Sequence, residues 1–294
     1  MNIGEKIKDL RQSKMMTQQQ LAGDMITRNM LSRIENGAAL PSVPTVVYLA
    51  DRLNIPAGYL LADDKDAFLY QKISIISDIK KAYSDREFLI ARSLCSKLSE
   101  IDESDDEINY IISECDFGIA TDAILSGNLH NARRYLDESL EYAKKTVYRT
   151  SEVESMCCIC FRYIGKISPT LNSDIIDDVS TSIVVCNDIF CNYILALEGV
   201  ENGAFDSGRI AQDTCTEFFQ KHIEIKRCMK GRNYSEALKQ LDELFVSVDK
   251  IPPTVLYDIY CDFEECFKNL DDYHGAYDHS NNKMRQLEKL LSGD

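Results

Sequence analysis

Three observations predict an all-α fold for this 294-residue chain. Only 13 glycines and 6 prolines occur, so helical patterns have few interruptions. Apolar residues recur at every third or fourth position along most of the chain, the spacing of one helix face. Strand-like β-branched runs are short. At 45% hydrophobic residues the chain can build one or two folded cores. No apolar run reaches the ~18–20 residues of a membrane span. "MNIGEKIKDLRQSK" is charged and amphipathic and lacks a signal-peptide core. A cytoplasmic protein with no membrane partner is therefore expected.

Five short helices are predicted at the N-terminus. Ile3, Ile7 and Leu10 share a face, so the first helix runs from Ile3 to about Ser13. In "MMTQQQLAG", Thr17 is an N-cap and Gln20, three residues on, completes a capping box; the second helix runs from Gln18 to about Gly23. Thr27 caps a third helix ending at Glu35, and Asn36-Gly37 supplies the residue tolerant of positive φ that closes it. "LPSVPTVVYLADRL" gives a fourth helix after Pro44, with Val47, Leu49, Ala50 and Leu53 as its apolar set. "NIPAGYLL" gives a fifth, with Pro56 near its first turn.

The segments "TQQQLA", "TRNMLSRIENGAALPS" and "LADRLNIPAGYLL" resemble the Xre/phage-repressor family of helix-turn-helix DNA-binding domains, over about the first 62 residues. A helix hairpin without DNA contact would explain the apolar positions but not the Arg/Asn-rich face of the third helix. The resemblance implies that Gln18, and Thr17 beside it, meet the DNA backbone. It implies that Arg28, Asn29 and Arg33 face base edges in the major groove, where Arg can grip guanine and Asn adenine bidentately. Thr27 and Ser32 would bind phosphate or base. Glu35 would be structural, paired with Arg11. The turn departs from the family's usual one: "GDMI" is one residue short, and Gly23 directly follows Ala22.

The formal charge of −15 opposes contact with DNA, but it is unevenly placed. Residues 1–62 hold seven bases and five acids, a net +2, and the remainder carries −17. A mildly basic head on an acidic body can meet DNA while the body discourages non-specific sliding.

Three segments are expected: a DNA-binding domain at 1–62, a linker at 63–69 marked by the polar "ADDKDAF", and a helical repeat domain at 70–294. Within the last, "SDREFLIARSLCSKL", "GNLHNARRYLDESL", "GRNYSEALKQLDEL" and "LDDYHGAYDHSNNKM" share a shape: a polar turn, a large apolar residue, then Ala three positions later. The anchors are Ala91, Ala132, Ala237 and Ala276, separated by 41, 105 and 39 residues. This resembles degenerate tetratricopeptide repeats, whose small residue lets paired helices approach closely, with a period longer than the usual ~34. A helical-hairpin solenoid follows, with an irregular bundle as the alternative. A solenoid offers a concave groove. In the apolar run "IVVCNDIFCNYILALEG" (183–199), Asp188 and Asn192 are the polar interruption. They read as a satisfied buried pair, or as a groove in which Asn192 clamps a peptide backbone.

Catalysis, cofactors and metals are not expected. Cys157 and Cys160 form C-x-x-C without a second ligand pair, and His130, His222, His274 and His279 lie apart from the cysteines. Eleven cysteines in apolar periodic segments read as free buried thiols. No phosphate-loop, nucleophile-elbow or zincin motif occurs.

An Xre-type head on a tetratricopeptide-like body resembles the peptide-sensing regulators of Gram-positive bacteria, the RRNPP quorum-sensing group. That resemblance implies a homodimer on a pseudo-palindromic operator of double-stranded DNA, with a short peptide effector in the body. One alternative keeps DNA binding and leaves the body only to dimerise or dock a protein. A second is an interaction scaffold with no DNA binding.

Overall fold

The computed structural model describes residues 2–62, 67–99, 103–171, 186–203 and 215–292. Among these the chain forms α-helices joined by turns and short 3₁₀ segments. Of the expected linker, 63–66 lie outside the described residues, and 67–69 already belong to the first turn of a helix. The chain clusters into two compact units, residues 1–81 with 96–103, and 82–95 with 104–294.

The first unit begins with α1 (Ile3–Ser13), α2 (Gln18–Ala22), α3 (Arg28–Glu35), α4 (Val43–Arg52) and α5 (Ala57–Leu61). Their caps are local. Asn2 and Glu5 form a capping box on α1, Thr17 and Gln20 one on α2, and Thr27 and Ser42 accept from the first turns of α3 and α4. The core is Ile7, Leu21, Ala22, Leu31, Ile34, Val46, Leu49, Ala50, Leu53 and Leu60. Val46, not Val47, is the buried residue of α4; Val47 is 44% exposed. Gly4 sets the approach of α1 to α3, since a Cβ there would lie 2.0 Å from the Ile34 carbonyl oxygen. Lys6 is buried, and its ammonium donates to Tyr59 O (3.3 Å) and Ala62 O (2.5 Å), closing the C-terminus of α5. Beyond α5, the Tyr70 ring of α6 (Ala67–Ser84) meets Tyr59 edge-on at 6.1 Å.

The rest of the chain is built from α7 (Phe88–Ser99), α8 (Asp106–Ser126), α9 (Leu129–Ala143), α10 (Ser151–Ile167), α11 (Ile189–Asn202), α12 (Glu217–Lys230), α13 (Tyr234–Phe245), α14 (Pro253–Asn269) and α15 (Tyr273–Ser292). The expected apolar helix over 183–199 begins instead at Ile189, behind the N-cap Asp188; 183–185 lie outside the described residues.

The four repeat motifs share one backbone device. Arg86, Gly127, Arg232 and Asp271 all have positive φ, and each stands two residues before a helix. The next residue's N–H reaches back five positions, as in Glu87 N to Ala82 O, Asn128 N to Ala123 O, Asn233 N to Cys228 O and Asp272 N to Phe267 O, all 2.8–3.0 Å. This is the Schellman closure, which satisfies the carbonyls a helix end leaves open. The following helix then buries its anchor: Ala91, Ala132, Ala237 and Ala276 are all at most 3% exposed. A side chain larger than Ala there would hold the helices apart.

In an open solenoid each repeat touches only its neighbours. Here α14 also packs on α8, where Thr254 Oγ1 donates to Ile124 O at 3.1 Å. Further along α14, Asp258 accepts from the Tyr163 hydroxyl of α10 at 2.7 Å. Asp262 bonds His222 Nε2 of α12 at 2.9 Å and the Lys226 ammonium, while His222 Nδ1 meets Tyr193 OH of α11 at 2.6 Å. One helix thus ties together four others through polar side chains, four of which (Tyr193, His222, Thr254, Asp262) are at most 1% exposed. Burial pushes the Asp262 carboxyl up, but Lys226 and His222 outweigh it and hold it below its ordinary value.

A candidate DNA-reading face

Three helices meet at one buried carboxylate. Glu35, near the end of α3, has a side chain 1% exposed. The Arg11 guanidinium of α1 grips it with both prongs, Nε to Oε1 at 2.6 Å and Nη2 to Oε2 at 3.0 Å. Gln18 Nε2, at the first position of α2, donates to the same Oε2 at 2.8 Å. Arg11 Nη1 also donates to Met16 O at 2.9 Å, so the guanidinium closes the α1–α2 turn as well. The bidentate geometry fixes the guanidinium in one plane, and the hydrogen bond to Glu35 raises the Arg11 pKa above its ordinary value. Gln18, expected to hold phosphate, thus spends one amide hydrogen inside the domain; its second hydrogen and carbonyl remain for an outside partner.

The turn between α2 and α3 is held by residues the sequence reading did not single out. Gly23 adopts φ 55 and ψ −136, a conformation essentially reserved for glycine. A Cβ there would lie 2.1 Å from the Tyr48 hydroxyl and 3.2 Å from the Arg52 guanidinium. Arg52 in turn donates to Gln20 O at 2.5 Å and lies over the Tyr48 ring at 5.6 Å. The glycine lets the chain reverse in the shortened turn, and α4 braces it. The sequence signal was Gly23 directly following the helix; Tyr48 and Arg52 had no local mark.

With that frame in place, α3 buries Leu31, Ile34 and Glu35 and leaves Arg28, Asn29 and Arg33 exposed. Asn29 and Arg33 are one turn apart, i and i+4, and so share a face. Among the described residues, the three side chains make no hydrogen bond or ion pair. Arg28 stands at the first position of α3, where the helix dipole disfavours a positive charge by roughly 0.3–1 kcal/mol. A residue kept against local helix physics marks a place where an outside anion is expected. Thr17 and Thr27 are exposed, and each hydroxyl accepts from a backbone N–H as a cap (3.2 and 3.1 Å) while its hydrogen stays available to donate. Ser32 is half-buried on the same helix.

Asp188 and Asn192 are placed differently. Asp188 caps α11, accepting from Cys191 N at 2.9 Å. Asn192 is 2% exposed; its Oδ1 accepts from Cys186 N at 2.9 Å and its Nδ2 donates to Cys186 O at 2.8 Å. The amide does clamp a peptide backbone, but it is the chain's own. Both polar side-chain atoms of Asn192 are thus engaged within the fold, as is one carboxylate oxygen of Asp188.

All eleven cysteines are free thiols, nine of them buried. Among the described residues no His, Cys, Asp and Glu side chains group to hold a metal ion, and no helix is long and apolar enough to cross a membrane.

The helix-turn-helix family model matches residues 7–60. Among solved structures, the chain is similar to PlcR of Bacillus thuringiensis, crystallised with the peptide PapR7 and DNA, at 16% identity and a TM-score of 0.28, covering 99% of this chain and 96% of that one. It is also similar to the SHP pheromone receptor Rgg2 of Streptococcus dysgalactiae, at 12% identity and a TM-score of 0.20, covering 97% of this chain and all 100% of that one. No curated protein matches the sequence. Residues 7–60, with Gly23 reversing the chain into an exposed Arg/Asn face, are a helix-turn-helix domain of the Xre type, and the chain that carries it is a DNA-binding regulator.

Proposed function

We propose that the chain is a sequence-specific transcriptional regulator that reads a pseudo-palindromic operator as a homodimer, with residues 1–62 as its DNA-reading domain. The observation that carries this reading is the exposed, internally unbonded set Arg28, Asn29 and Arg33 on α3. Loss of one bidentate base contact costs about 1–3 kcal/mol of discrimination. In a binding-site selection at fixed salt, Arg28→Ala or Arg33→Ala should relax the preference at one base pair in each half-site. Gln18→Ala should weaken all sequences about equally, because a phosphate contact positions without reading. If both arginine variants keep the wild-type preference, α3 does not read the bases.

The dimer reading is supported by α15. Tyr273, Tyr277, Ser280 and Met284 follow one another at steps of four and three and Leu291 lies one heptad further on, the seam of a helix that pairs with another helix. Tyr273, Tyr277 and Met284 are 69%, 67% and 51% exposed. Sedimentation equilibrium should find a dimer for the wild type and a monomer for Tyr277→Glu/Met284→Glu. A double variant that stays dimeric would remove α15 from the interface. Two-fold related heads then need half-sites about one helical turn, ~34–36 Å, or a multiple of it apart.

A short peptide effector in the body remains the second reading. A cavity of about 540 Å³ between α12 and α13 favours it, lined by the apolar Phe218, Ile225 and Leu244 and by Glu217, Glu224, Glu236 and Glu243, which outnumber the lining Lys221 and Lys239. Such a lining fits an apolar peptide with a basic end. Glu236→Lys with Glu243→Lys should abolish binding of a peptide recovered from the producing cell's medium; if that variant still binds it, the cavity is not the site.

A further inference from the structure

The first turn of α3 holds an apolar side chain where helix physics favours a polar one. Behind a polar N-cap, Glu or Gln at the third helical position accepts a hydrogen bond from the cap's own N–H. Glu5 does this at the start of α1 and Gln20 at the start of α2, each completing a capping box. The third position of α3 is Met30. Its N–H donates to Thr27 Oγ1 at 3.1 Å, but a thioether is too weak an acceptor to return a bond to the Thr27 N–H.

Exposure runs against residue type as well. Leu31 and Ile34 of α3 are at most 1% exposed, whereas Met30 is 41% exposed. Ser32, two residues on, is half-buried. A methionine thus stands further out than a serine of the same helix, the reverse of the usual order. Met30 and Arg33 are i and i+3, and Arg28 and Asn29 precede Met30 in the same turn, so Met30 borders the exposed Arg/Asn face. In a helix-turn-helix domain the N-terminal residues of this helix meet base edges in the major groove. The Arg and Asn donors there answer guanine and adenine; the apolar group that base pairs display in that groove is the thymine methyl. A flexible, polarisable thioether suits that contact.

We infer that Met30 is a further specificity-determining residue of α3, one that reads the C5-methyl group of a thymine in each half-site while Arg28, Asn29 and Arg33 take the hydrogen-bonding edges. The inference rests on the proposed reading of bases by α3. The contact removes a methyl and a thioether from water together, and no hydrogen bond is made or lost in it. Burying one methylene-sized group is worth about 0.8 kcal/mol, a factor of about four in affinity. A glutamine at this position would complete the capping box of α3 and leave the methyl unread.

The test uses the full chain and the duplex recovered by binding-site selection, resynthesised with each thymine in turn replaced by deoxyuridine. Uracil keeps the pairing and the O4 acceptor of thymine and lacks only the methyl. The wild type should bind one such duplex about four-fold more weakly, and about fifteen-fold more weakly when both half-sites are substituted. Met30→Ala and Met30→Gln should bind the thymine and uracil duplexes equally at that position, and should keep the preference at the base pairs assigned to Arg28 and Arg33. Met30→Gln supplies the capping-box residue, so its thermal unfolding should come at or above the wild-type temperature and a folding defect cannot explain the loss. Met25, 49% exposed in the turn before α3, is the control: Met25→Ala should keep the methyl dependence. A wild type indifferent to every uracil substitution would overturn the inference. So would a Met30→Gln variant that keeps the methyl dependence, or a dependence lost in Met25→Ala instead. If Arg28→Ala and Arg33→Ala relax their base pairs while uracil changes nothing, Met30 alone is misassigned; if those variants also keep the wild-type preference, base reading by α3 fails as a whole.

Discussion

The head and the body each bury a charged network, yet they use it to opposite ends. In the head, Arg11, Gln18 and Glu35 answer one another at the junction of α1, α2 and α3, and the polar residues left over stand exposed on α3. In the body, Tyr193, His222, Lys226 and Asp262 also answer one another, and polar residues whose partners the sequence left open are drawn inside as well. Asn192 is the clearest case. The head spends its network on holding a face outward; the body spends its own on joining helices far apart in sequence.

The largest expected effect tests that difference. Asp262 is 1% exposed and answers two donors, one of them the ammonium of Lys226. Removing one partner of a buried pair leaves the other charge uncompensated, at about 3–5 kcal/mol. Asp262→Asn should therefore lower the urea-unfolding free energy of the body by roughly that amount. Glu35→Gln should cost less, about 1–3 kcal/mol, because the Arg11 guanidinium keeps a second partner in Met16 O, whereas the hydrogen bond shown for the Lys226 ammonium is the one to Asp262. Equal losses would mean that the two networks do the same work.

Much of this contrast was legible beforehand in the head and little of it in the body. The head's helices are short and most carry their own boundary marks, Thr17 with Gln20, Thr27 and Pro56; the fourth helix, expected after Pro44, starts at Val43 behind the cap Ser42. Its exposed face follows from one helical period. The body's anchor alanines and turns were also visible, because the Schellman closure and the small residue lie within a few positions of each other. What α14 does was not visible. Tyr163 and Asp258 are 95 residues apart and Thr254 and Ile124 130, and no local pattern records such a pairing. For the same reason the sequence left open whether Asn192 is satisfied inside or clamps a peptide: its partner, Cys186, lies six residues back in a segment without helical periodicity.

A second buried carboxylate sharpens the comparison through pH. Asp116 of α8 accepts from Arg92 Nε at 2.7 Å, but its second oxygen is buried without a hydrogen-bond partner. Burial outweighs the attraction of Arg92 and pushes the carboxyl up to about 6. The folded state then binds this proton more tightly than the unfolded chain, whose ordinary Asp titrates near ~3.9. The contribution of Asp116 to stability is thus greatest below ~4, declines as pH rises toward 6, and is flat above, a change of up to about 3 kcal/mol. Asp262, held below its ordinary value, has the opposite sign and loses its contribution only as pH falls through the acid range. Unfolding free energies at several pH values between 4 and 7 should show a negative slope from Asp116 that Asp116→Asn removes. An unchanged slope in the variant would place the proton elsewhere.

The smallest expected effect concerns the one device that head and body share. Met15 and Asn54 in the head take positive φ, as do Arg86, Arg232 and Asp271 in the body. At Gly127 the same conformation is strain-free, but an added Cβ would meet Leu290 at 3.0 Å and Pro253 at 3.1 Å. Arg232 is exposed, follows Gly231, and has φ 60. A non-glycine residue there costs on the order of 1 kcal/mol, and glycine removes the strain while adding freedom to the unfolded chain. Arg232→Gly should therefore stabilise the body by a few tenths of a kcal/mol up to about 1, whereas Gly127→Ala should destabilise it by more than 1. Thermal unfolding of the two variants against wild type gives the comparison. If Arg232→Gly destabilises, the arginine side chain contributes more to the α12–α13 turn than its left-handed backbone costs.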